Sequence, residues 1–464
     1  MVAAGEVARL CRDELLARVG VVFARREPRL QAAKYVRALT ADLPRKNGWQ
    51  IAEWVGDATP DKTQRLLAHA VWDEHAAMGV VAGFVAEQLA VADDPLAVVV
   101  FDESGQEKKG TSTCGVKRQY VGCAGRVSNA VNVVYATLAT RRGHALAAAR
   151  PYLPREWADD DQRRAQVKVP DEVAFKTKPA LAADILADLH TAGLAPPWAT
   201  GDEVYGRDKT LRELCEQHER GYVFGVPCSF GLTLTSGRRV RADQALKLVP
   251  PKAWNLASCG AGSKGERTYW WAWIATTSDR HHLLVRRNLR DPTDVAFFYA
   301  HVPANQPATL STLVAIAGRR WPVEEDFQVG KDQFGLDHSQ VRLYTALLRH
   351  LVLTMIALAA CAVAAAALRP ATNTLAPPPT HPPRRPATPR PRADPTDRRR
   401  DQTPDQPGCP NRATTGPPPA MVLVATPPSS PRPLVSPPNT TTPQPSTSTN
   451  MIRSQSAAAV LDAP

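Results

Sequence analysis

The run Ala97-Val98-Val99-Val100-Phe101 leaves this chain few choices of fold. Consecutive apolar, mostly β-branched residues do not suit a strand with one wet face. They suit a strand covered on both sides, which calls for a sheet sandwiched between helices. The run stops on Asp102, so a carboxylate emerges at the end of a buried strand.

The pattern downstream is that of an α/β domain. A loop with Gly105, Lys108, Lys109 and Gly110 leads to β-like runs over 116–123 and 131–140. An amphipathic helix over 178–194 carries Leu181, Ile185, Leu186 and Leu189 on one face and is ended by Pro196-Pro197. A short strand then reaches Asp202, followed by a helix over about 208–220 and a strand over 222–226.

From about 227 to 307 the residues alternate β-branched or aromatic with polar, over 231–235, 269–276, 281–286 and 295–301, and read as an inserted sheet. Trp254, Trp270, Trp271 and Trp273 belong to it, and their alternation points to a core role rather than to stacking on bases. His281-His282 has no metal spacing and is expected at the surface. Helical pattern returns near Thr309, breaks around Trp321-Pro322, and continues into the segment with Glu324 and Lys331.

Residues 1–90 read as helical. The stretches 47–56 and 61–73, with Thr59-Pro60 as a helix start, fit either a helix-turn-helix that docks on DNA or an ordinary helical subdomain. The segment 351–368 is apolar except for Thr354 and reaches the lower length limit of a membrane span. Its alanine content favours a buried core helix, so no membrane partner is expected.

Eight cysteines lie scattered without a Cys-x-x-Cys pair, which argues against a disulfide scaffold and a zinc finger. Acids and arginines interrupt the N-terminus where a signal peptide would be apolar, so the expected location is cytoplasmic, at the nucleoid. The formal charge of +12 favours a polyanionic partner such as nucleic acid. Of the 42 prolines, 25 fall in the last 95 residues, together with ten arginines and five aspartates. That composition cannot bury enough apolar surface to offset chain entropy, and 369–464 is expected to be a disordered tail.

Three dispersed acids, Asp102, Asp202 in Gly-Asp-Glu-Val-Tyr-Gly and Glu324 in Trp-Pro-Val-Glu-Glu-Asp-Phe, sit where a metal-dependent phosphoryl-transfer site needs them. Glu103, Glu203, Glu325 and Asp326 compete for the same role. Successive strand residues point to opposite faces, so only one of Asp102 and Glu103 can aim inward, and Asp102 is the choice. Arg320, Glu324 and Lys331 are expected to share one helix face, the cations holding phosphates. Lys117 and Arg118, with Lys108 and Lys109, are further candidates for phosphate contact.

Taken together, these motifs resemble the RNase H-like DDE transposases of bacterial insertion sequences, in the branch with a β-rich insertion before the last acid. The wording that carries the resemblance is Phe-Asp-Glu-Ser-Gly-Gln-Glu-Lys-Lys-Gly, then Gly-Val-Lys-Arg-Gln-Tyr-Val-Gly-Cys-Ala-Gly-Arg-Val-Ser-Asn, and Gly-Leu-Asp-His-Ser-Gln-Val-Arg downstream. The branch signature Tyr-x2-Arg-x3-Glu-x6-Lys is matched by Arg320, Glu324 and Lys331, with Ala317 at the tyrosine position. The resemblance spans roughly residues 30–368.

It implies an RNase H-like mixed sheet with flanking helices over 91–368, interrupted by the β-rich insertion at about 227–307; the helical domain over 1–90 that precedes it is a candidate for binding DNA ends. Asp102, Asp202 and Glu324 would hold two Mg²⁺ ions, with Mn²⁺ able to substitute. The implied activity is strand cleavage and strand transfer on double-stranded DNA, element ends and target, by a homodimer. Two alternatives stay open: an inactive DNA-binding relic with an aberrant tail, and a structure-specific nuclease on the same fold.

Overall fold

Val98, Val99, Val100 and Phe101 are fully buried in the computed structural model, as a strand covered on both faces must be. The model describes residues 2–121, 125–262, 265–304, 306 and 309–369. The tail expected to be disordered lies outside the described residues apart from Arg369.

The strands are β1 (Val98–Glu107), β2 (Lys117–Val121), β3 (Arg126–Ala139), β4 (His144–Pro151), β5 (Trp198–Gly201), β6 (Gly221–Val226), β7 (Gly231–Thr233), β8 (Arg239–Arg241), β9 (Asn255–Gly262), β10 (Gly265–Ala275), β11 (His281–Arg287) and β12 (Val295–His301). Ten of them form one sheet, ordered β2-β3-β1-β5-β6-β12-β11-β10-β9, with β4 also on β3, and β7-β8 make a separate hairpin. β1 runs antiparallel to β3, and β5 lies parallel to both β1 and β6. The result is a large mixed sheet with helices packed on it.

Two expectations are corrected here. Apart from the small β7-β8 hairpin, the segment over 227–307 does not build a sheet of its own: β12 pairs antiparallel with β6, and β11, β10 and β9 extend the same sheet outward. The strand β4 was not foreseen, because His-Ala-Leu-Ala-Ala-Ala-Arg-Pro lacks the β-branched residues that mark strands and its alanines favour helix. Pairing with β3 overrides that local preference.

Of the N-terminal helices, Gly48–Trp54 packs on Arg26–Leu39 and Asp61–Ala68, and these two pack with Val2–Val19 and Glu74–Gln88 on the long helix Tyr344–Leu368. That helix is long and apolar enough to cross a membrane, and it serves as the spine of the core. Its Arg349 donates to the carbonyls of Leu67, Ala70 and Trp72 and to Glu74 Oε2 at 3.1 Å, tying the helical layer to it. Asp61–Ala68 ends earlier than its sequence pattern, since the chain turns there to bring Trp72 against Phe23, ring centroids 5.0 Å apart. The helix Pro322–Phe334, which precedes the long helix in the chain, stops at Gly335, whose φ of 67° suits glycine.

In the added strands Trp271 is buried, Trp273 donates to His282 Nδ1 at 3.0 Å, and the Arg287 guanidinium lies 3.8 Å over Trp254. His282 is buried and His281 bonds Glu216 at 3.1 Å, so this pair sits inside rather than at the surface. Pairing of β11 between β10 and β12 leaves it no outer edge.

Candidate active site

Strand alternation separates Asp102 from Glu103. Residues 102, 104 and 106 of β1 face the helix Pro322–Phe334 and its C-terminal turn, where Gln106 donates to the Leu336 carbonyl at 3.0 Å. Glu103 faces the other way, accepting from Lys178 Nζ at 2.6 Å and from the Tyr205 hydroxyl at 2.9 Å. It therefore already has a cation and a donor of its own.

Asp202 follows β5 directly. Phe101 pairs with Gly201 in parallel register, so the next residue of each strand is one of the two aspartates. Asp202 caps the short helix Glu203–Gly206, its Oδ1 accepting the Val204 N–H at 2.8 Å. The turn is wedged against β6: a Cβ on Gly206 would lie 1.9 Å from the Gly225 carbonyl oxygen, a position only glycine can fill.

Glu324 sits in the first turn of Pro322–Phe334, where the helix dipole favours an acid. Arg320 is not on that helix. It lies in the turn between Leu310–Gly318 and Pro322–Phe334, because proline takes the first helical position and the chain before it cannot continue the earlier helix. From that turn Arg320 Nη1 reaches Asp102 Oδ2 at 3.1 Å, and Nη2 lies 3.7 Å from Glu324 Oε1. The guanidinium thus links the first and third acids, a contact the sequence did not suggest.

Burial pushes the Asp102 carboxyl up to about 8; Arg320 opposes this, while the nearby charges of Glu324, Asp202 and Glu103 add to it. Asp202 is likewise raised, first by burial and then by Glu103. Negative charge is thus crowded around the Arg320 guanidinium, with Lys178 balancing Glu103 on the other face. Among the described residues no three Asp, Glu, His or Cys side chains form a ready metal cage. The donor chemistry nevertheless fits a hard cation: all-oxygen ligands that repel one another, with the Asp102 carboxyl raised first by burial and then by its acidic neighbours.

The other candidates are placed as follows. Glu325 and Asp326 both bond His144, at 3.1 and 2.9 Å, and Glu203 lies 3.4 Å from Arg207. Lys331 is in the last turn of its helix and takes part in no ion pair among the described residues. Lys117 pairs with Glu156 at 2.7 Å, and Arg118 is exposed beside it. Lys117 stands opposite Ala130, whereas Asp102 stands opposite Tyr135, so the pair is about 17 Å along the sheet from the acids. Lys108 bonds the Ser339 carbonyl and burial pulls its pKa down to about 8. Sequence reasoning missed His144, Lys178 and Tyr205; only Tyr205, inside the Gly-Asp-Glu-Val-Tyr-Gly motif, carried a local signal.

Residues 18–268 match the family model of the DDE superfamily endonucleases, a stretch that contains Asp102 and Asp202 and stops before Glu324. A match over more than half of the chain makes it a member: this protein belongs to the DDE superfamily endonucleases. It is 25% identical over 198 residues to the probable transposase for insertion sequence element IS701 of Microchaete diplosiphon, covering 42% of this chain and 48% of that protein. The chain thus spans about half the length of that curated relative. A cryo-EM structure of the piggyBac transposase synaptic complex with hairpin DNA aligns with a TM-score of 0.38 at 11% identity, over 77% of this chain and 73% of that one.

Proposed function

We propose that this chain is an RNase H-like transposase that cleaves DNA strands at the ends of an insertion sequence and joins them to a target. One observation carries the reading: Asp102 and Asp202 follow a registered parallel strand pair, and Arg320 connects Asp102 to Glu324. The strand order β4-β3-β1-β5-β6, with three antiparallel strands and then two parallel ones, supports the RNase H-like assignment. In the corresponding domain division, 91–368 is the catalytic unit, its sheet lengthened by the insertion at about 227–307, 1–90 is a helical DNA-end-binding region, and 369–464 is a tail.

Asp102, Asp202 and Glu324 would hold the divalent cations, Mg²⁺ or Mn²⁺. Two such ions, when bound, polarise the attacking and leaving oxygens of an in-line displacement at phosphorus. The protein's own residues supply the rest. Asp102 would be deprotonated to serve as a ligand, Arg320 would turn its charge from carboxylate to phosphate, and Lys331 would meet the strand two helical turns further along. Glu103, neutralised by Lys178 and Tyr205, holds β1 to the Asp202 turn. The same site serves cleavage by water and attack by the freed 3′-hydroxyl, and no covalent protein nucleophile is used. The working form is a homodimer on paired DNA ends in the cytoplasm, at the nucleoid.

The test is a Mg²⁺-dependent cleavage and joining assay on the element's own flanking ends. Wild-type protein should cut and join, whereas Asp102→Ala, Asp202→Ala and Glu324→Ala should each lose at least about a thousandfold in rate and still bind the ends. Cutting without joining would make the protein a structure-specific nuclease, and full strand transfer by any of the three variants would remove the site assignment.

A further inference from the structure

Glu324 reaches the site from a helix, and a helix can rotate about its axis. Its neighbours Glu325 and Asp326 are both held by His144, the first residue of β4, two strands from β1. The ring lies between them, Nδ1 2.9 Å from Asp326 Oδ1 and Nε2 3.1 Å from Glu325 Oε2. Asp326 is 2% exposed, and its other oxygen accepts the Thr137 hydroxyl of β3 at 2.8 Å. Two carboxylates facing both ring nitrogens require both to be N–H. Burial alone would depress the ring's pKa, but Asp326 and then Glu325 outweigh it and carry it up to about 10, so the imidazolium is the resident form.

Side chains advance by about 100° per residue around a helix, so 325 and 326 together fix the direction in which 324 points. We propose that His144 is a positioning residue: by clamping Glu325 and Asp326 to β4, with Thr137 as a second anchor, it sets the rotation of the helix Pro322–Phe334 and aims Glu324 at Asp102. The proposal rests on the assignment of Asp102, Asp202 and Glu324 as the metal-holding acids. His144 touches no reacting atom; it acts through the helix.

The test uses the full chain and Mn²⁺ as the probe, its binding followed by electron paramagnetic resonance without DNA. Partners that orient metal ligands typically change affinity by about 10–100-fold, and His144→Ala should weaken Mn²⁺ binding by at least about tenfold. In the cleavage assay kcat should fall with KM for the DNA end unchanged, a split that mere loosening of the fold would not give. Folded His144→Ala with wild-type Mn²⁺ affinity overturns the proposal. If His144→Ala does not fold, Thr137→Val takes its place, with a smaller loss in the same direction expected and wild-type affinity overturning it. If Asp102→Asn and Glu324→Gln bind Mn²⁺ as the wild type does, the site reading itself fails and this proposal with it. Loss in those two but not in His144→Ala removes the positioning role alone.

Discussion

Phe101 and Gly201 pair in parallel register, and this one pairing sets Asp102 beside Asp202 although they stand 100 positions apart in the chain. The third acid arrives by another route, through a turn and a guanidinium. The site is therefore assembled by a sheet register on one side and a helix on the other, and each half can be tested separately.

Proton and metal should compete at Asp102. Its carboxyl is raised from 3.8 to about 8 in the folded protein, so between those values the unfolded chain gives up a proton that the folded one keeps. Stability of the metal-free protein from this group therefore falls as pH rises through that window and levels above it. Metal binding must expel the proton, so the rise in Tm produced by Mg²⁺ should grow up to about pH 8. Thermal unfolding with Mg²⁺ and with chelator across pH, compared with Asp102→Asn, measures this; a metal effect that stays flat with pH in the wild type contradicts it.

Arg320 should matter most when no metal is present. Arg320→Ala removes the guanidinium that donates to Asp102 and, in chelator above about pH 8 where that carboxyl is ionised, should cost about 2 kcal/mol, the worth of a hydrogen bond between charged partners. With saturating Mg²⁺ the difference from wild type should shrink. Denaturant titrations under the two conditions give the comparison, and an equal loss in both would show that the guanidinium does not stand in for metal.

Gly206 has no room for a side chain. Gly206→Ala places a methyl group 1.9 Å from the Gly225 oxygen, and the backbone must shift by more than a rotamer change can absorb. A loss of about 3 kcal/mol is expected, the upper part of the overpacking range, together with weaker Mn²⁺ binding as the Asp202 turn moves. Thermal unfolding near wild-type Tm would show that the turn is looser than described.

Arg349 is 7% exposed and serves three carbonyls and Glu74. Arg349→Met keeps the bulk but strands these acceptors, and a loss of about 3–5 kcal/mol is expected. Equilibrium unfolding in urea would register it; a change under about 1 kcal/mol would mean that water replaces the bonds.

The first strand was legible because burial on both faces leaves a continuous apolar run; Asp102 closes that run but not the strand, which pairs on to Glu107. β4 was not legible, since alanine says nothing of strand pairing until β3 is present to pair with it. The choice between Asp102 and Glu103 follows from alternation, but which face holds the helix with Glu324 is known only once that helix is packed. Arg320 was foreseen as part of the site yet assigned to phosphate, because its partnership with Asp102 joins positions 218 apart in the chain. His144 gave no signal at all: its role exists only through Glu325 and Asp326 on a helix that folds back from far downstream.

By itself the sequence determined that the first strand is buried on both faces and where proline and glycine bound the helices around it, because these depend on residue type and short-range spacing. The tertiary structure alone decided that the insertion lengthens the sheet, that an arginine rather than empty space lies between Asp102 and Glu324, and which carboxylates are already neutralised. Those outcomes depend on register and helix rotation, and both are fixed by contacts between residues that local preference cannot relate.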